Sequence, residues 1–104
     1  MQQLLVYKLS GLSPVVSDEI ILKYQRGSRP DGNATSIDLQ EIKELLFTTI
    51  EKTEADFKAG IFKHFNEFTN SLGFALKTTS EAILFNYYHE AVHLGIIMSL
   101  RKFV

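Results

Sequence analysis

The chain carries 104 residues, a formal net charge of −1 and no cysteine. That length suits one domain, and that charge sets up no field to draw nucleic acid or an acidic membrane. Disulfides and thiolate metal sites are excluded, so any metal must rest on His, Asp or Glu. No apolar run approaches the roughly 18–20 residues that span a bilayer. Met1-Gln2-Gln3 lacks the positive charge that opens a secretory signal. The expected setting is the cytoplasm, with neither membrane nor nucleic acid as partner.

Leu4, Leu5, Val6, Tyr7 and Leu9 form an apolar run that begins almost at the first residue and ends at Gly11 and Pro14. With no cap before it, it reads as the tail of a helix. Ser17-Asp18-Glu19 is a helix start, a hydroxyl cap followed by two acids at the positive end of the dipole. That short helix ends near Gly27 and Pro30. Arg26 to Ser36 is a polar loop with turn residues at Pro30, Gly32 and Asn33. Thr35 or Ser36 caps a long helix over about 37–58, in which Leu39, Ile42, Leu46, Thr49 or Ile50, Thr53 and Phe57 recur at helical spacing. Gly60 ends it.

From Ile61 to Lys77, Phe62, Phe65, Phe68 and Phe74 alternate with polar residues. This reads as an irregular or extended connection with aromatic anchors, with a helical turn near Lys63–Phe68 as an option. The phenylalanines are read as core. Thr78-Thr79-Ser80-Glu81 is a capping box, and it opens a last helix over about 79–103. On that helix Ala82, Asn86, His89, His93, Ile96, Leu100 and Phe103 share the stripe that would face a core.

His89-Glu90-Ala91-Val92-His93 carries the most chemical information. Histidines four residues apart on a helix project from one face, one turn apart, and can bind one divalent metal. Their alternative is a pair of core histidines bonded to tyrosine hydroxyls or backbone carbonyls. The five residues also match the His-Glu-x-x-His zincin pattern, with Glu90 as general base. That reading fails on its third ligand, because no His, Asp or Glu follows His93. Gly95, inside a helix, suggests a close helix approach or room for a ligand. Tyr87 and Tyr88 are read as packing residues with a hydroxyl to offer a ligand's far side. Arg101 and Lys102 suit the negative end of the helix dipole.

The segment from Gly73 to Lys102 resembles the last helix of the DinB-like (DinB/YfiT-type) metalloproteins. The resemblance rests on Gly73-Phe74, Lys77-Thr78, Glu81-Ala82, His89-Glu90, His93, Gly95 and Leu100-Arg101. Leu4 to Gly11, with the Pro14-to-Pro30 crossover, is similar to the family's second helix and its long connection. The resemblance implies an all-α fold, an up-down four-helix bundle truncated at its N-terminus. The last two long helices and the end of the second would remain, as a single partial domain over 1–104. It also implies a divalent metal, zinc or nickel, with His89 and His93 as two of three histidine ligands. The family's third histidine comes from the second helix, and by spacing it would fall just upstream of Met1. Met1 is then expected to be an internal methionine taken as a start, or the chain a natural truncation. His64 is the only other histidine that could stand in.

Two functions follow from the resemblance. One is metal-assisted transfer involving a low-molecular-weight thiol, with the metal lowering the thiol's pKa. The other is a non-catalytic helical dimerisation module with a vestigial metal site. Enzyme status is open between them. A homodimer is expected in either case, because two long helices and a stub do not close a four-helix core. The expected seam is Ile96, Leu100 and Phe103, with Leu46 and Ile50 from the other long helix.

Overall fold

A computed structural model describes residues 1–104. The chain is mostly helical, in the order π-helix Gln3–Lys8, α1 Asp18–Tyr24, α2 Ser36–Lys58, β1 Phe68–Thr69, β2 Ala75–Leu76 and α3 Thr79–Leu100. It divides into two compact units, Pro14–Lys63 on one side and Met1–Ser13 with His64–Val104 on the other. No helix is long and apolar enough to cross a membrane.

In the Pro14–Lys63 unit, the caps set the helix starts. The Ser17 hydroxyl accepts from the Ile20 amide and opens α1. Thr35 and Asp38 form a reciprocal capping box that opens α2: the Thr35 hydroxyl takes the Asp38 amide at 3.2 Å, and the Asp38 carboxylate takes the Thr35 amide at 2.8 Å. Lys23 of α1 pairs with the same carboxylate. That ammonium, with the Thr35 donors, holds the Asp38 carboxyl well below the usual carboxylate range. At the far end Gly60, at φ 69°, closes α2 in a Schellman turn, its amide bonding Phe57 and the next amide bonding Asp56. The apolar positions Leu39, Leu46 and Ile50 lie exposed along α2.

In the other unit, Gly11 ends the π-helix in the same way. At φ 71°, it bonds Lys8 through its own amide and Tyr7 through that of Leu12. Leu5, Leu76 and Ala82 are the buried apolar centre, one each from the π-helix, β2 and α3. Leu9, Phe65 and Phe85 pack against them. Two polar contacts tie the start of the unit to its end. The Ser10 hydroxyl bonds the Val6 carbonyl and lies 3.1 Å from the Thr79 hydroxyl, and the Asn66 amide donates to the Leu9 carbonyl.

The connection before α3 has no helical turn at 63–68; it is extended and then folds into a small antiparallel hairpin, Phe68 opposite Leu76 and Thr69 opposite Ala75. Asn70 builds its loop by accepting the Leu72 and Phe74 amides on one side-chain oxygen. Of the aromatic anchors, Phe65 does reach the core, whereas Phe68 and Phe74 are exposed and Phe57, Phe47 and Phe103 elsewhere are exposed too. A core this small has few places for eight phenylalanines.

Candidate metal centre

The start of α3 is anchored on both sides of its first turn. The Thr78 hydroxyl accepts from the Glu81 amide, and the Glu81 carboxylate reaches back to the Lys77 amide at 2.7 Å, one residue before the cap. Ala82 is fully buried and Asn86, one turn on, is 3% exposed. Rings then lead from the core toward the histidines: Phe74 lies against Phe85, and Phe85 against both Tyr88 and His89. His89 is half-buried and His93 exposed, so the pair sits where the buried stripe of α3 ends.

The two Nε2 atoms of His89 and His93 are 2.9 Å apart, with the rings edge to face at a centroid distance of 4.6 Å. Without a metal, one imidazole must donate and the other accept, and two imidazolium ions at this separation would repel strongly. Burial pushes the His89 pKa down; the neighbouring His93 and the α-amino group of Met1 add to this, and Glu90 opposes it.

The separation of the two nitrogens is compatible with their being two ligands of one divalent metal. Zinc–imidazole bonds run to about 2.0–2.1 Å, so a tetrahedral site needs nitrogens about 3.3 Å apart, and a right angle at the metal needs about 2.9 Å. The observed 2.9 Å lies in that range. Binding requires both rings in the tautomer that carries its proton on Nδ1. Asn86 adds a second observation. Its amide nitrogen donates to Glu90 at 2.6 Å, while its oxygen is buried with no donor. Its oxygen is thus an unpaired acceptor on the stripe that carries the histidines.

Both histidines expected to bind metal are therefore brought together. The third ligand is not: no group of three His, Cys, Asp or Glu side chains is gathered anywhere. His64 instead faces Asn66 in the connection, its Nε2 at 3.0 Å from the Asn66 side-chain oxygen. Glu90 is turned to Asn86 along the helix and not to the histidines' nitrogens. Tyr87 and Tyr88 are exposed, Tyr88 against Phe85. A Cβ at Gly95 would meet nothing within 4 Å, so nothing else in its unit approaches closely there. The expected core stripe also stops short. Ile96, Leu100 and Phe103 are 50%, 56% and 83% exposed, because nothing else in their own unit lies over them. The orphaned Asn86 oxygen was not foreseen. Its signal, an asparagine on an otherwise apolar stripe one turn before a histidine pair, is present in the sequence.

Comparison of the chain with protein-family models, with curated proteins and with solved structures found no match in any of the three.

Proposed function

We propose that this chain is a DinB-like divalent-metal-binding protein whose metal rests on His89 and His93. The observation that carries the reading is the Nε2 pair at 2.9 Å on one face of α3. When bound, the metal would supply Lewis acidity, lowering the pKa of a low-molecular-weight thiol and holding its thiolate as nucleophile. The chain's part is to present two imidazoles from one face of α3, with the His89 ring against Phe85. Two protein ligands leave the remaining coordination positions to other donors. The protein would act in the cytoplasm.

A second reading, a dimerisation module with no catalysis, is favoured by the exposed apolar run after His93 and by the lack of a gathered third ligand. Calorimetric titration with zinc and with nickel tests the metal reading. Saturable binding at micromolar concentration by the wild type, lost in His89→Ala/His93→Ala, supports it. Equal heats for the two proteins would refute it. Transfer of a thiol to an electrophilic acceptor by the loaded protein, absent without metal, would separate the enzyme from the module.

A further inference from the structure

Ten residues of α3, Ala91 to Leu100, are all exposed, and none is charged. A helix that is apolar all round is normally buried. Within its unit, this exposed run begins just where the two histidines stand. The histidine pair supplies two of the four nitrogens that a closed zinc site takes, and the apolar run beyond it is left uncovered within its unit. We propose that a second copy of this chain completes both: His89 and His93 of two copies together hold one metal ion on a two-fold axis. The inference rests on the metal-binding part of the reading above and names the source of the missing ligands; because four nitrogens close the site and leave no position for a thiol, it goes with the dimerisation module and not with the enzyme.

Three observations favour a second copy over another occupant. Two ligands per chain, doubled by a two-fold, give the four that a closed zinc site takes. A foreign partner would have to bring its own matched nitrogen donors. The charges at the histidine face are Glu90 at its edge and the Met1 α-amino group near it, which offset one another, and the chain's net charge is only −1, so repulsion between copies is small. Continuity is the third. At about 100° per residue, Ile96 and Leu100 lie within about 20° of His89 round the helix, so metal and seam share one face.

The burial pattern also sets the direction of pairing. On this stripe Ala82 and Asn86 are already buried within their own unit, and only positions from His89 onward are free. An antiparallel pair centred on the histidines would drive each free run across the partner's buried one. The two-fold must therefore run along the helices. Ile96 then meets Ile96 and Leu100 meets Leu100 of the partner subunit, in register.

The test is the mass and metal content of the full chain at low micromolar concentration, by analytical ultracentrifugation and elemental analysis, with zinc alone or with chelator. The expected result is a species of twice the 11.8 kDa chain mass, with one zinc per two chains. Chelator or His93→Ala should weaken the dimer by about tenfold or more, as expected when the ion binds only the assembled form. His93 and Ile96 are exposed, so His93→Ala and Ile96→Glu should keep the wild-type helical signal, and Ile96→Glu should also weaken the zinc-loaded dimer. Because the chain has no cysteine, Leu100→Cys offers a single thiol. A short bis-maleimide should join two such chains in zinc and far less in chelator. One zinc per chain at unchanged mass would overturn the shared site and leave the metal reading standing. A dimer indifferent to zinc and to His93→Ala would also overturn it. No zinc bound at all would remove both.

Discussion

The two halves of α3 make one continuous helix but are held by different forces. From Thr79 to Glu90 the helix buries Thr79, Ala82 and Asn86, and its first turn is fastened by Thr78, Glu81 and Ser10. From Ala91 to Leu100 it is the more uniformly apolar half, yet it buries nothing. Isolated helices of this length are marginal in water, and most helical stability in proteins comes from packing of one face. The first half has that packing. The second half relies on its own backbone bonds and on whatever covers it. The histidine pair lies on the border, with one ring in each regime.

The largest test of this contrast is truncation on either side of the border. Leu76→Ala empties the small centre beneath the first half and should cost about 2–4 kcal/mol. Ile96→Ala, on the exposed half, should change the stability of the chelator-treated protein by less than about 0.5 kcal/mol. Urea midpoints measured on the two variants decide it. Equal losses would mean that the second half is buried in solution without metal.

Metal should reduce the contrast. At zinc a hundredfold above its dissociation constant, mass action adds about 2.7 kcal/mol to the wild type. His93→Ala should lose that gain while its metal-free melting temperature stays near wild type. Hydrogen exchange gives the sharper reading: zinc should slow the amides of 91–100 more than those of 79–90. Uniform slowing would place the metal's effect on global unfolding alone.

What could be read in the sequence was local. Ser17, Thr35 with Asp38, and Thr78 with Glu81 act as caps because a hydroxyl or carboxylate reaching an amide three residues away depends only on nearby residues. His89 and His93 share a face for the same reason. The depth of burial could not be read this way. Ile96, Leu100 and Phe103 continue the spacing of Ala82 and Asn86 without a break, and periodicity marks the face that would be buried, not whether a surface exists to bury it. The hairpin at 68–76 was missed because its strands are two residues each, too short for alternation to show, although Asn70 and Gly73 are turn residues. Gly95 illustrates the same limit from the other side. A helical glycine suggests close approach, but open space surrounds it.

A cap substitution probes the fastened half. Thr78→Ala removes the acceptor for the Glu81 amide and should cost about 1 kcal/mol. The Glu81 bond to the Lys77 amide is kept, so the loss should stay near the lower end for cap removal. Fraying should show in the exchange of the first-turn amides and leave 91–100 unchanged. Spread of the effect into the second half would show that the two halves melt as one unit.

The smallest expected effect has an informative sign. Gly95 has helical backbone without positive φ, and a Cβ there would touch nothing. Gly95→Ala should therefore stabilise the metal-free chain, by about 0.4–1 kcal/mol, mainly by restricting the unfolded state. Six residues on from His89, at about 100° each, position 95 lies about 120° round the helix from the histidine face. A dimer seamed along His93, Ile96 and Leu100 leaves it outside, so the gain should survive zinc unchanged. Paired melting curves, with zinc and with chelator, make the check. A gain in both conditions agrees with a seam on the histidine face. A gain in chelator that turns to a loss in zinc would put a second surface against Gly95, moving the seam round the helix. A loss in both would mean that the half of α3 left uncovered within its own unit is covered in solution even without metal.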